Sequence, residues 1–586
     1  MKYISDRILT AVICLLALVP VASFAASGDS EAEYRKLAKS WTLNPDGSQE
    51  FHYSMELTLF THTAMNGTYG ESFIVYNPEY QTLEINSSYT VRKDGTVVET
   101  PSNAFVEVLP SPAANAPAYN GLKEMVVVHT GLELGATICL DYTIVTKAGY
   151  LPELDVYELV RQSSPVKEYT VSISVPESKE PDFYLYGIMG KVSSATAGGQ
   201  KTYTWTFRNV KASSRLPDQY HFDSPYFAAN TYASPEIMAR TISRRFADGK
   251  SLPVLKDLAG KITSGAVTET EKVRAVYRYI QDSYARIPLD LYSCGYRIRP
   301  ADRVIASAYG TDAELLNVFQ GLLAASGLKA GVCAVYPRQN TAGLGLRHMQ
   351  LYVVTEADGR EYLLSPSALG TRSVVMQRQY CPALNLKTGA IESPASRSAM
   401  ISGSFDISLE GEKMLIRSET EVSDFFLDVE GTVARMITAG DDDADVKSSD
   451  SSSVFICESE SDVERAGDYT ILHLPDYPFS AVYDRRASGS ERDILLTLPA
   501  PYDESYVYRV HKGDRTLCSP ETDIKTENSV GELGISISDQ GDDVIVIRTL
   551  KLYKPEISVE EYPDFLELMR VWGDHNHTCL LMKQSM

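Results

Sequence analysis

The feature that most constrains this chain is a change of period. Along residues 26 to about 225 apolar and polar residues alternate in twos, as in Phe51, Tyr53, Met55 and Leu57 with polar neighbours between. Successive side chains of a strand point to opposite faces, so this pattern predicts half-buried strands. Near Ser234 the period lengthens to that of a helix. After about residue 395 the twofold alternation returns. The order predicts an α+β multidomain protein, with a β-rich domain at each end and helices plus a sheet between. A chain of 586 residues has room for each domain to bury a core of its own.

In the front part, strands are expected at 81–91, 136–146, 168–175 and 201–208, with Asp94-Gly95 as a hairpin turn. An antiparallel sandwich or one large curved sheet follows. Helices are expected at 235–247 and 253–262. A third should open at the capping box Thr268-x-x-Glu271 and end near Tyr284. A fourth should run over 312–326, with Leu315, Leu316, Phe319, Leu322 and Leu323 on one face and Gly327 as its C-terminal cap. Strands at 330–336, 347–355 and 361–365 complete an α+β unit, Asp358-Gly359 turning the second into the third. Short strands such as 413–419, 493–498 and 544–552 fill the last part, and a helix at 564–572 closes it. The expected division is 1–25, 26–230, 231–395 and 396–586, with no internal repeat. Asp441-Asp442-Asp443 and the serines to Ser453 read as an exposed acidic loop whose spacing matches no calcium loop.

The formal net charge of −22 argues against nucleic acid or an anionic membrane surface as partner. Lys2 and Arg7, the apolar run 8–18, and Ser23-Phe24-Ala25 read as a cleavable export signal, with cleavage after Ala25. The mature protein is expected to be periplasmic or secreted, with no transmembrane segment. Ile13 before Cys14 argues against lipid anchoring. Seven cysteines remain, an odd number without a CxxC pair, so buried thiols are expected rather than a disulfide framework.

The stretch from Arg299-Pro300-Ala301-Asp302-Arg303 through Tyr309-Gly310-Thr311-Asp312 to Gly327-Leu328 resembles the core of the transglutaminase-like (papain-like cysteine) superfamily. The whole chain is similar to bacterial secreted proteins that carry this core between two β-rich domains, the front one a domain of unknown function. Tyr80-Gln81-Thr82-Leu83, Gly131-Leu132-Glu133-Leu134-Gly135, Asp141-Tyr142 and the late Glu561-Tyr562-Pro563-x-Phe565 carry that likeness. The resemblance implies a Cys-His-Asp triad. Here Asp312 stands where the family has its cysteine, His348 matches the histidine, and Ser365 of Leu364-Ser365-Pro366-Ser367 replaces the aspartate. A helix N-terminus and a neighbouring imidazolium stabilise a thiolate, and an aspartate orients the histidine. A carboxylate at the nucleophile position is a far weaker nucleophile and would have to form an anhydride with an amide.

Asp312 also has a purely structural reading. Thr311-x-x-Glu314 is a capping box, which puts Asp312 in the first helical turn, where negative charge is favourable, with His348 as an ion-pair partner. Cys294, in the loop before Arg299-Pro300, is the alternative nucleophile. Asp574, His575, His577 and Cys579 form a small cluster that reads as a fortuitous metal match, and no cofactor is expected. The 36 tyrosines suit sheet faces and rims, or sugar stacking. Three functions remain. The first is a catalytically inactive transglutaminase-like binding or scaffolding protein, monomeric or weakly associated, with a peptide, protein or glycan ligand. The second is a cysteine peptidase or transglutaminase using Cys294 with His348. The third is a purely structural envelope protein.

Overall fold

The computed structural model describes residues 30–213, 224–249, 253–337, 340–347, 349–365, 381–392, 399–423, 426, 432–438, 444–449, 452–475, 492–498 and 500–584. The leader, His348 and the Asp441-Asp442-Asp443 run lie outside the described residues. The structure is a β-rich multidomain α+β fold. Among the described residues, no helix is long and apolar enough to cross a membrane.

The front part holds fourteen strands: β1 (Ala32–Leu43), β2 (Gln49–Leu59), β3 (Glu71–Tyr76), β4 (Gln81–Val91), β5 (Val97–Glu99), β6 (Phe105–Val108), β7 (Lys123–Val128), β8 (Thr137–Thr146), β9 (Asp155–Leu159), β10 (Val166–Pro176), β11 (Asp182–Tyr186), β12 (Lys191–Ala197), β13 (Gln200–Val210) and β14 (Tyr226–Asn230). Eight form one sheet in the order β12-β13-β10-β1-β2-β8-β4-β5. The expected antiparallel pattern needs one correction, because β1 pairs with β10 in parallel, Trp41 opposite Ile173. Parallel pairing requires a long crossover, which alternation within single strands does not reveal. The Asp94-Gly95 hairpin forms as expected, with Gly95 at φ +88° and Arg92 N donating to Thr96 O at 2.8 Å.

A three-stranded sheet, β11-β14-β9, forms a middle layer. Strand alternation gives it two masters. Val156, Phe227 and Ala229 turn toward the eight-stranded sheet, where Phe227 meets Trp205 with ring centroids 4.6 Å apart. Tyr226 and Ala228 turn the other way, into the core of the helical region.

That region contains α1 (Pro235–Ser243), α2 (Pro253–Ile262), α3 (Glu269–Ser283), α4 (Ala301–Ser307) and α5 (Asp312–Ala325). The box at Thr268 forms, Glu271 N donating to Thr268 Oγ1 at 3.1 Å and Thr268 N to Glu271 Oε2 at 3.0 Å. The short α4 has too few residues for a periodic signature and was not expected. Helix α5 is buried nearly throughout its length and packs on β17 (Lys329–Val335) and β18 (Gln350–Ala357). These belong to the sheet β19-β18-β17-β20-β21, in which β19 is Arg360–Leu364, β20 Ala383–Asn385 and β21 Ile391–Glu392.

The C-terminal part repeats a device of the front. Its eight-stranded sheet has a central hairpin, Ala399–Glu410 with Lys413–Ser423, whose first strand pairs in parallel with Tyr502–His511. The helix Tyr562–Trp572 lays Tyr562, Phe565, Leu568 and Trp572 on this core. The strand expected at 493–498 is only Leu496–Thr497, and a final strand, Cys579–Gln584, extends the chain beyond the closing helix.

Candidate functional site

Asp312 is the first residue of α5, and its carboxylate is half exposed. Two neighbours set its surroundings. The first is Arg286. Residues Ala285–Arg286 pair in parallel with Tyr309–Gly310, so Arg286 stands beside the helix start. Its Nε donates to Asp312 Oδ1 at 2.5 Å and its Nη2 to Oδ2 at 2.8 Å. This bidentate pair raises the pKa of the guanidinium. His348, the ion-pair partner expected from the sequence, lies outside the described residues; Arg286 is brought to Asp312 by backbone pairing that no local pattern announces.

The second neighbour is Glu314. Its side chain is fully buried and receives four donors: Arg299 Nε at 2.8 Å, Arg299 Nη2 at 2.9 Å, Arg299 N at 3.0 Å and Thr311 N at 3.1 Å. The last is the carboxylate half of the expected capping box. Arg299 also donates to Tyr309 O at 2.7 Å and lies over the Tyr309 ring at 4.6 Å. The Arg-Pro motif and the helix start are therefore clamped together through one buried ion pair.

Cys294 is buried, and desolvation, followed by the nearby Asp290 and Glu314 carboxylates, pushes its thiol up to about 12. Its loop is held by rings of the front part. Gly295, at φ +61°, lies so close to Tyr150 that a Cβ would reach within 2.7 Å of its Cδ2. Arg297 stacks over Tyr80 at 4.3 Å. Ser365 is buried at the end of β19. Cys333 is a core thiol on β17, also pushed up to about 12 by burial. Among the described residues no cluster of three or more His, Cys, Asp and Glu is placed to hold a metal ion.

The segment that leads to His348 is seated on the β11-β14-β9 sheet. Gly343 N donates to Asp182 Oδ2 at 2.9 Å, and Arg347 N to Asp155 Oδ2 at 3.0 Å. Both glycines of Gly343-Leu344-Gly345 are needed there. At Gly343, φ +71°, a Cβ would lie 2.7 Å from Tyr184 N, and at Gly345 it would lie 2.5 Å from Asp155 Oδ2. Asp155 is fully buried, and desolvation raises its pKa to about 6, Arg347 opposing. The sequence reading missed Asp155, Asp182, Arg286 and Arg347. A glycine pair ahead of the histidine was the sole local signal that a backbone approaches closely there.

Residues 45–214 match the domain of unknown function DUF3857, and residues 469–582 match a second one, DUF3858. The fold and these matches define a multidomain protein with one such domain on each side of a helical core. The crystal structure of a "putative protease" from Parabacteroides distasonis is 36% identical, with 94% of this chain and 99% of that chain covered and a TM-score of 0.67. The chain belongs to the same family as that protein. The M1 zinc metallopeptidase of Deinococcus radiodurans aligns over 36% of this chain and 44% of its own at 12% identity, and its TM-score of 0.18 carries no argument. Nothing matches among curated proteins.

Proposed function

We propose that this chain is a transglutaminase-like protein whose degenerate triad binds a ligand rather than processes it. The expected domain division at 230 and 395 and export after Ala25 are part of this reading. One observation carries it. At the position matching the family's nucleophile stands Asp312, whose two oxygens are both engaged by Arg286. A carboxylate neutralised in this way keeps a charge pair at the helix start and offers no thiolate for acyl transfer. Ser365 in place of the orienting aspartate supports the same conclusion, since a hydroxyl brings no charge to stabilise an imidazolium.

The description of the Parabacteroides distasonis relative as a protease favours a second reading, a peptidase using Cys294. A thiol pushed up to about 12 is almost wholly protonated at neutral pH, which weighs against it. Purified residues 26–586 should show no amine incorporation, deamidation or peptide hydrolysis. Robust turnover that disappears in His348→Ala would refute the inactive reading. Rapid iodoacetamide labelling of Cys294 at pH 7 would favour the peptidase, and we expect labelling no faster than that of an unfolded thiol.

A further inference from the structure

Strands β3, β7 and β6 form a separate three-stranded antiparallel sheet in that order. Its inner face carries Ile74, Phe105, Met125 and Val127, which pack on the front core, Ile74 and Val127 almost wholly buried. The outer face is apolar too. Register places Phe73, Val126 and Val106 in one row across the three strands, Val75, Glu124 and Val108 in the next, and Glu71 beside Val128. Phe73 is 59% exposed, Val106 42%, Val75 39% and Val108 38%. An antiparallel sheet with one solvated face normally alternates apolar and polar residues, so a contiguous second apolar face marks a surface that another molecule covers.

Size and charge narrow what covers it. Strands of at most six residues, about 4.8 Å apart with a rise of about 3.4 Å per residue, present about 300 Å². A stable interface between two globular proteins takes about 800 Å² from each. The patch therefore suits a single segment. Its charged side chains are Glu71 and Glu124, and among the described residues neither carboxylate is in an ion pair. The cation of this sheet, Lys123, lies on the opposite face and is bound to Glu107 at 3.2 Å. A second copy meeting this patch with its own would set carboxylate against carboxylate. An anionic membrane surface would meet the same repulsion from a chain of net charge −22.

We propose that this face docks a cationic amphipathic segment of another protein. Its apolar side chains cover Phe73, Val106 and Val126, and its lysines or arginines sit beside Glu71 and Glu124. The loop joining β6 to β7 connects this sheet to the helical region, where Ala118 N donates to Tyr309 Oη at 2.9 Å. A docked segment thus lies one loop from the head of α5. The surface is separate from the Asp312 position and does not depend on whether that position turns over a substrate.

The test uses the full mature protein, with thermal melts to verify that each variant folds. The labelled probes are a strand-forming Val–Lys peptide, a helix-forming Leu–Lys amphipath, a Thr–Lys peptide of the same charge, a Val–Glu peptide, and phosphatidylglycerol vesicles. Binding of the Val–Lys or Leu–Lys peptide, weakened about tenfold in Phe73→Thr/Val106→Thr, supports the proposal. Weakening of about three- to tenfold in Glu71→Gln/Glu124→Gln, with a flatter salt dependence, supports the charged half of it. Equal binding of the Thr–Lys peptide, or unchanged binding by folded Phe73→Thr/Val106→Thr, means attraction to net charge alone and overturns the proposal. Preference for the Val–Glu peptide, vesicle binding in place of peptide binding, patch-dependent self-association in sedimentation velocity, or no binding of any probe overturns it as well.

Discussion

Replacing Glu314 with glutamine tests what holds the core motif together. The Glu314 carboxylate is buried and takes four hydrogen bonds, two from the Arg299 guanidinium. Glutamine keeps the shape but removes the charge, and it turns an amide NH2 toward donors. Arg299 is then left largely buried without its anion. Breaking one side of such a pair costs about 3–5 kcal/mol. The loss should concentrate at the start of α5, so local opening is the right observable. Native-state hydrogen exchange of peptides covering 301–325 should speed up by about two to three orders of magnitude, at 1.4 kcal/mol per factor of ten. The pair Glu314→Leu with Arg299→Met removes both charges and should recover most of that protection, because two apolar groups replace a desolvated ion pair. If Glu314→Gln shifts protection less than about fivefold, or the double variant opens as readily as the single, the clamp does not hold the helix start.

Three further outcomes follow from the geometry. Asp155 has a folded pKa of about 6, above its ordinary value near 4, so its contribution to stability is full below about pH 4 and lost as the pH rises through 6. Wild type should therefore lose about 2 kcal/mol relative to Asp155→Asn between pH 4 and 7, read as a difference in urea midpoints; a flat difference would contradict the buried carboxyl. Arg286→Met breaks a half-exposed pair and should change stability by less than about 1 kcal/mol in the same assay, so a larger loss would reveal a structural role for Asp312. Gly345→Ala drives a methyl into the Asp155 carboxylate and should lower the melting temperature more than Gly265→Ala, where a Cβ meets nothing and the backbone is not left-handed; equal effects would mean the seat of the segment is loose.

The amino-acid sequence by itself determined the local features. The twofold period placed β2, β4, β8, β10 and β13 within a few residues. The capping box and Gly327 placed both ends of α3 and α5 almost to the residue, and Asp94-Gly95 placed a hairpin. These succeed because period, cap and turn each depend on residues close along the chain. The place of Asp312 at the start of a helix was likewise legible, since it is fixed by its immediate neighbours.

Tertiary structure alone decided the rest. Arg286 reaches Asp312 through a two-residue parallel bridge across 26 positions. Asp155 lies 192 positions from the amide it holds. The parallel seams of both large sheets join strands separated by long crossovers. No local pattern encodes such pairings, because they arise when separate elements bury their apolar faces together and the polar groups left between them must find partners. The sequence thus placed a carboxylate at the head of a helix; the fold supplied the arginine that pairs with it.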